Sequence, residues 1–380
     1  MESRRFGLKA WPVVGIFLMQ AFLLIAHWFI YHTLIAFWWP LSPAATLALR
    51  STIFVLAFSF IVAALLSFRF SNPLVTAVYK VAAVWLGFLN FFFLAACLSW
   101  LADLALRLSP LAPELPRHRP LIAGVFFSLA ALAGIYGLLN ALWIRVRRIS
   151  VTLPNLPNSW RGRTAVLLSD LHLGNINGIA FSRRIVSMAV RLNPDIVFIP
   201  GDLFDGTRAD LDRLAEPFQQ LSPPFGAYSI TGNHEEFGSA ALYMDAMTRA
   251  GIRVLANEKV VVDGLTIAGI PYGDSTYPIR IRATLENLRL DPEQASILLS
   301  HMPSRLPIVE QAGVSLQLSG HTHGGQLFPF TWFTRRAFGK FTYGLHRFGA
   351  LQVYTSTGAG TWGPPMRVGT HPEIALIQFE

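Results

Sequence analysis

Four long apolar segments in the first 150 residues are the strongest constraint on how this 380-residue chain can fold. They lie at residues 11–38, 51–68, 79–101 and 121–144. A membrane-spanning helix needs about 20 mostly apolar residues, and each segment comes close to or exceeds that length. Prolines mark the connections, and we expect the helices to end there. The sequence therefore predicts a membrane region with four helices over residues 1–148.

The positive charge of the chain belongs to this membrane region. Residues 1–150 contain 12 Lys/Arg and three Asp/Glu, which accounts for the formal net charge of +9, because the remaining residues carry 19 of each sign. Cations beside apolar segments indicate membrane topology, and we therefore expect no nucleic-acid partner. The single cysteine, Cys97, excludes an internal disulfide.

The distribution of cations predicts the orientation of the chain. Eight fall on one side of the predicted helices: Arg4, Arg5, Lys9, Arg69, Lys80, Arg145, Arg147 and Arg148. Four fall on the other side: Arg50, Arg107, Arg117 and Arg119. The positive-inside rule then places the amino terminus, and everything after Arg148, in the cytoplasm at the inner membrane. The alternative is export, because Ser3-Arg4-Arg5-Phe6 before an apolar run also fits a twin-arginine signal.

After a predicted linker at 149–161, the pattern over residues 162–380 changes to short apolar runs separated by segments of helical spacing. The predicted strands are Thr164–Ser169, Asp195–Pro200, Ala227–Thr231, Leu265–Ile270, Ser296–Ser300, Ser315–Ser319, Leu351–Ser356 and Ile374–Phe379. The predicted helices are Ile179–Leu192, Asp210–Leu221 and Ser239–Ala250. Strands that alternate with helices indicate an α/β domain.

Five of the eight predicted strands end in residues that bind metals. The candidate ligands are Asp170, His172, Asp202, Asn233, His301, His321 and His323. Imidazole, carboxylate and amide oxygen together suit borderline first-row ions, and ligands at i and i+2 can face one ion where a strand turns into a loop. Seven ligands exceed what one ion needs and suit two ions with a bridging carboxylate. Two such ions can activate water for attack at phosphorus.

These blocks, in this order over residues 170–323, resemble the calcineurin-like metallophosphoesterases. The family pattern is Asp-x-His, Gly-Asp, Gly-Asn-His-Glu/Asp, His and Gly-His-x-His, and every block is present. The closing run Gly-Thr-Trp-Gly-Pro-Pro-Met-Arg is similar to the bacterial subgroup that joins membrane segments to this domain. The resemblance implies a two-sheet αββα sandwich and two divalent ions, Mn, Fe or Zn.

The resemblance also implies a role for each residue. It assigns Asp170, His172, Asp202 and His323 to one ion. It assigns Asp202, Asn233, His301 and His321 to the other, with Asp202 bridging. His234 is implied as a catalytic residue near the scissile phosphate, where it stabilises charge or protonates the leaving oxygen. Glu235 and Asp205 are expected to orient ligands or cap helices.

The residues between Gln311 and Pro372 suggest the substrate. They include no acid but contain five cations, Arg335, Arg336, Lys340, Arg347 and Arg367, interleaved with aromatic residues. Such a mixture suits an anionic lipid bilayer. We therefore expect a membrane-bound phosphoesterase whose phosphorylated substrate is lipid-linked, and the wider family makes UDP-2,3-diacylglucosamine a candidate. The alternatives are a phosphodiesterase acting on soluble or nucleotide substrates and a non-catalytic membrane receptor or scaffold.

Overall fold

The computed structural model describes residues 10–38, 41–110, 115–237 and 239–380. Arg4, Arg5 and Lys9, on which part of the predicted orientation rests, lie outside the described residues. The chain divides into two compact units, Met1–Ile135 and Tyr136–Glu380.

The first unit is built from four long apolar helices. They are α1 Ala10–Trp38, α2 Pro43–Arg69, α3 Pro73–Arg107 and α4 Leu115–Leu142, whose residues from Tyr136 onward belong to the second unit. All four are long and apolar enough to cross a membrane, which confirms the predicted number.

Local sequence explains where two of these helices begin. The Ser42 hydroxyl accepts a hydrogen bond from the Ala45 N–H at 3.2 Å, and the Asn72 side chain accepts one from Val75 at 3.0 Å. A proline follows each of these caps, at a position where no intrahelical N–H is needed. We expected prolines in the connections to mark helix ends, but Pro120 lies inside α4. Its missing N–H removes one intrahelical hydrogen bond.

A buried acid lies within the helical unit. Asp103 of α3 is 1% exposed and forms ion pairs with Arg107 and Arg119, each at 2.7 Å. An unpaired carboxylate in an apolar surrounding would be costly, so these two arginines have a structural role.

The second unit contains two six-stranded sheets. The strands are β1 Arg145–Val151, β2 Thr164–Leu167, β3 Ile196–Ile199, β4 Ala227–Ser229, β5 Arg253–Val254, β6 Glu258–Val262, β7 Leu265–Ile270, β8 Ser296–Ser300, β9 Leu316–Ser319, β10 Gly344–Phe348, β11 Leu351–Thr355 and β12 Glu373–Phe379. Their order is β1-β12-β2-β3-β4-β5 in one sheet and β10-β11-β9-β8-β7-β6 in the other. The helices are α5 Ile179–Arg191, α6 Leu211–Ala215, α7 Asn233–Glu236, α8 Ala240–Arg249, α9 Tyr272–Ser275, α10 Pro278–Leu288, α11 Leu306–Gln311 and α12 Phe330–Phe338.

Alternate residues of the central strands fill different layers of the core. In β2, Ala165 and Leu167 pack into the cluster shared with the second sheet, whereas Val166 packs with residues of α5 and α8. In β8, Leu299 faces the first sheet and Leu298 packs with residues of α10 and α11. This alternation follows from the two-residue period of a strand. It produces the predicted αββα sandwich.

All eight predicted strands are present, and four further strands were not predicted. Of these, β1 runs parallel to β12 over its whole length, from Arg145 to Val151, and overlaps the start of the predicted linker at 149–161. Its arginines are tolerated because β1 is an edge strand with half of its residues exposed. Strands β2, β3 and β4 run parallel, as do β8 and β9. The carboxyl ends within each of these sets therefore meet at one edge of their sheet.

Candidate metal centre

The structure brings all seven predicted ligands together at these strand ends. Asp170 and His172 follow β2, Asp202 follows β3, Asn233 follows β4, His301 follows β8, and His321 and His323 follow β9. Three groups of side chains have ligand atoms within 4.8 Å of one another: Asp170, His172 and His323; Asp170, Asp202 and His301; and His172, Asp202 and His234. Five loops, distant in sequence, thus form one buried cluster.

Asp202 lies between two sets of nitrogen ligands. One of its carboxylate oxygens is 3.1 Å from Nε2 of His301 and 3.8 Å from Nε2 of His172. On one side, Nε2 of His172 is 2.9 Å from Nε2 of His323. On the other side, Nδ1 of His321 is 2.9 Å from the side-chain oxygen of Asn233.

An unusual backbone conformation aims these side chains. Asp170, His172, Asp202, His321 and His323 all have positive φ, between 47° and 68°. The left-handed region costs a non-glycine residue about 1–2 kcal/mol, so five such residues in one cluster must be held by their surroundings. Residue type alone does not predict this strain, because Asp and His adopt the left-handed region more often than most non-glycine residues but still uncommonly.

Gly201 allows the β3 loop to approach the neighbouring loops. It has a φ of +95°, and a Cβ at this position would lie 2.7 Å from the Gly232 nitrogen and 2.8 Å from Nδ1 of His301. Only glycine avoids both the backbone strain and the collision.

Polar atoms of the cluster that lack hydrogen-bond partners are suited to coordinate a cation. Nδ1 of His172 is buried and has no hydrogen-bond partner among the described residues, and Nε2 of His301, although 3.1 Å from the Asp202 carboxylate, makes no hydrogen bond of good geometry there. The imidazoles of His172 and His323 point nitrogen atoms at each other, and at most one neutral nitrogen of the pair can donate. Unpaired imidazole nitrogens beside two buried carboxylates suit divalent first-row ions, so the cluster could hold a dinuclear metal site. The residues do not specify which metal.

Burial and neighbouring charges shift the pKa values of the cluster's acids and imidazoles. Burial raises the pKa of Asp170 to about 6, with His301 opposing the shift and Asp202 adding to it. Burial opposes protonation of His301, but the carboxylate of Asp202 outweighs it and raises the pKa of His301 to about 10. Burial lowers the pKa of His321 to about 3. A bound cation would favour the deprotonated ligands.

A second set of contacts holds the ligand loops. The Glu235 carboxylate accepts hydrogen bonds from the backbone N–H groups of Asp202 (3.0 Å), Phe204 (2.9 Å) and Gly232 (2.7 Å). It thereby joins the loops after β3 and β4, as the sequence suggested. Nδ1 of His301 bonds the Pro200 carbonyl at 2.7 Å, so in the neutral ring Nε2 faces the cluster with its lone pair.

His234 is held in a similar way. Its Nδ1 lies 2.9 Å from the carbonyl oxygen of Asp205, and its ring is 4.6 Å from that of His172. A carbonyl oxygen can only accept a hydrogen bond, so Nδ1 carries a proton. Nε2 is therefore the ring nitrogen that remains available to another group. Asp205 thus orients His234 through its main chain, while its carboxylate bonds Thr207 and the Asn175 N–H.

Sequence reasoning misplaced Arg367, which was grouped with the surface cations. It is completely buried, and its guanidinium donates to the carbonyls of His323 (3.2 Å), Thr357 (2.7 Å) and Gly358 (3.1 Å). Arg367 therefore supports the loop that carries His323. The run of glycines just before it was the available signal, because a glycine-rich loop leaves carbonyl groups accessible.

Comparison with known proteins agrees with this geometry. Residues 164–325 match the family described as calcineurin-like phosphoesterase. A zebrafish (Danio rerio) protein named "Transmembrane protein with metallophosphoesterase domain" is 35% identical over 267 residues, covering 66% of this chain and 60% of the relative. A protein of Aquifex aeolicus named as an uncharacterized metallophosphoesterase is 32% identical over 260 residues, covering 66% of this chain and 98% of the relative.

The chain spans less than two thirds of the zebrafish relative's length. Among solved structures, a dimetal phosphatase from Danio rerio aligns with 58% of this chain and 100% of its own, at 10% identity and a TM-score of 0.32.

Proposed function

We propose, from the premise that the chain belongs to the calcineurin-like metallophosphoesterase family, that it is a membrane-bound, metal-dependent hydrolase of a phosphate ester or pyrophosphate. One observation carries the proposal: five loops of the sandwich bring Asp, His and Asn side chains, most of them buried, to a single point. A receptor that only bound a ligand would not need this complete set of metal ligands together with His234.

We assign the ligands as the family pattern does. Asp170, His172, Asp202 and His323 would hold one ion, and Asp202, Asn233, His301 and His321 would hold the other. The short distances within each set and the position of Asp202 between them support this division. When bound, two such ions would supply charge neutralisation and a water activated for attack on phosphorus.

His234 would manage a proton. Because Nδ1 is committed to the Asp205 carbonyl, Nε2 is the atom that can face the substrate. A protonated Nε2 would donate to the leaving-group oxygen as the phosphorus–oxygen bond breaks. His234 is 5% exposed, and the ring of Trp362 lies 6.0 Å from its ring. The imidazole is therefore largely shielded from solvent.

We further propose that the substrate is lipid-linked, with UDP-2,3-diacylglucosamine as one candidate. The support is α12, which exposes Phe330 (51%), Trp332 (61%) and Phe333 (55%). The same helix carries Phe338, whose ring lies 6.3 Å from His321. An apolar surface beside the cluster suits the acyl part of an amphiphilic substrate.

We also propose that the domain lies in the cytoplasm at the inner membrane. Eight cations against four favour this orientation. Two of the four, Arg107 and Arg119, are engaged by Asp103 and have a structural reason to be there.

The direct test measures hydrolysis by the detergent-purified full chain loaded with Mn. Each lipid substrate is paired with a soluble counterpart, for example UDP-2,3-diacylglucosamine with UDP-glucosamine. We expect turnover of the lipid member, and loss of both turnover and metal in Asp202→Asn. Preference for the soluble member would refute only the proposal that the substrate is lipid-linked. If the metal-loaded chain hydrolysed no phosphate ester at all, the proposal that the protein is a hydrolase would be refuted.

A further inference from the structure

A cavity of about 580 Å³ lies behind the loop that carries His321 and His323. Its walls come from α12 with the turn that follows it, from β10, and from the segment before β12. One wall is Gly324, the residue after His323. None of the seven predicted metal ligands lines this cavity, so it is a separate place on the domain.

The lining of the cavity is strongly cationic. Arg335 and Lys340 line it, together with His346 and His371, whereas no Asp or Glu does. No carboxylate of the described residues lies within ion-pair distance of Arg335 or Lys340. Two cationic residues that line one cavity without a carboxylate partner attract an anion.

The acid bonded to the lining residue Tyr343 is engaged elsewhere. Glu373 is 3% exposed and accepts hydrogen bonds from the hydroxyls of Tyr343 (2.9 Å), Tyr354 (2.8 Å) and Ser356 (3.1 Å). The Glu373 carboxylate therefore lies behind the cavity wall formed by Tyr343. Its negative charge is stabilised by these three hydroxyl groups. The guanidinium of Arg147 lies 5.3 Å from the Tyr343 ring and adds a further positive charge nearby.

The rim of the cavity is aromatic. Trp332 lines the cavity and packs against Phe333, with ring centroids 5.0 Å apart. Both rings are more than half exposed. A ligand with a compact anionic group and an apolar part would use the cations and the rim together.

We propose that this cavity binds the phosphate group of an anionic compound, through Arg335 and Lys340, at a site separate from the metal centre. The guanidinium supplies paired N–H donors and the ammonium supplies a point charge, which together match a phosphate. The phosphate can come from a lipid head group or from a soluble phosphate. The site needs neither the metals nor hydrolysis, so the proposal holds or fails independently of the proposed function.

The test measures binding to the detergent-solubilised full chain in the presence of a chelator, which removes phosphate binding through metals. The probes are inorganic phosphate, short-chain phosphatidylglycerol and, as a zwitterionic control, short-chain phosphatidylcholine. The double variant Arg335→Gln/Lys340→Gln removes the two cations of the cavity. The matched control, Arg336→Gln/Arg347→Gln, removes two neighbouring charges that do not line it.

We expect the double variant to lose about 100-fold in affinity for phosphatidylglycerol, since each of the two charge-assisted hydrogen bonds contributes about tenfold. The matched control and the exchange Arg335→Lys/Lys340→Arg should bind within about twofold of wild type. Parallel loss of inorganic phosphate binding would show that the phosphate alone suffices, whereas loss with the lipid only would identify a lipid head group. Equal loss in the matched control, or unchanged binding in the double variant, would overturn the proposal.

Discussion

Replacement of Glu235 tests whether a residue outside the predicted ligand set builds the metal centre. Its carboxylate is completely buried and accepts three backbone N–H groups, two of them from Asp202 and Gly232. Alanine would leave all three donors buried without partners, at about 1–3 kcal/mol each. The total of about 3–9 kcal/mol approaches the whole stability of a typical domain.

Glutamine gives a graded version of the same test. Its single carbonyl oxygen can still accept, but its amide nitrogen would face an N–H donor, so at least one of the three hydrogen bonds is lost. The expected cost is about 1–3 kcal/mol, which lowers the melting temperature of a domain of this size by about 2–4 °C per kcal/mol. Metal content should fall in the order wild type, Glu235→Gln, Glu235→Ala.

The assay is thermal unfolding of the chelator-treated full chain, with metal content measured after reloading. The matched control is Glu236→Gln, because Glu236 is only half-buried and bonds Thr231 (3.0 Å) and Gly273 (3.1 Å) rather than the ligand loops. If Glu235→Ala unfolded at the same temperature as wild type and regained its full metal content on reloading, the role of Glu235 in joining the loops would be refuted.

Three further predictions concern the same centre. His234→Asn should keep its metal content and lose about 100-fold or more in turnover, and loss of metal in this variant would contradict a non-ligand role. Gly201→Ala should lower both metal content and melting temperature, because its Cβ would come within 2.7 Å of the neighbouring loop. Gly251→Ala, with φ of +84° but no atom within 4 Å, is the control that carries backbone strain alone. Finally, the melting temperature of the metal-free chain should fall between about pH 7.5 and 9.5. In that window the unfolded histidines are already neutral, so the lowered pKa values of His172, His321 and His323 no longer matter, whereas the folded state still holds a proton on His301, whose pKa is raised to about 10 because the Asp202 carboxylate outweighs burial. A rise in melting temperature over this window would show the opposite linkage.

Much of the metal centre was readable because its chemistry is local in sequence. Asp170 and His172, like His321 and His323, stand two residues apart directly after a buried strand. Parallel strands bring such ends together without any knowledge of the partners. The positive φ of these residues was not readable, because it is imposed by the packed loops and not by the residue types.

Two features show where local patterns fail. The strand that begins at Arg145 was not predicted, because it forms only against β12, which pairs with it along its full length. Arg367 was counted as a surface cation, and it is buried because the carbonyls of three loop residues and of His323 replace its water. In both cases the deciding partner lies far away in sequence or has no distinctive side chain.

The sequence by itself determined the four apolar helices, the alternation of strands and helices, and the set of candidate metal ligands. Each of these depends on hydrophobic length, on periodicity, or on side-chain chemistry at a strand end, and all are properties of short segments. Only the tertiary structure decided the order of strands in the two sheets, the three-way clamp of Glu235 and the cationic cavity beside α12. Those features arise where distant segments meet, since a hydrogen-bond partner or an absent counter-ion is a property of the packed chain and not of any one stretch of it.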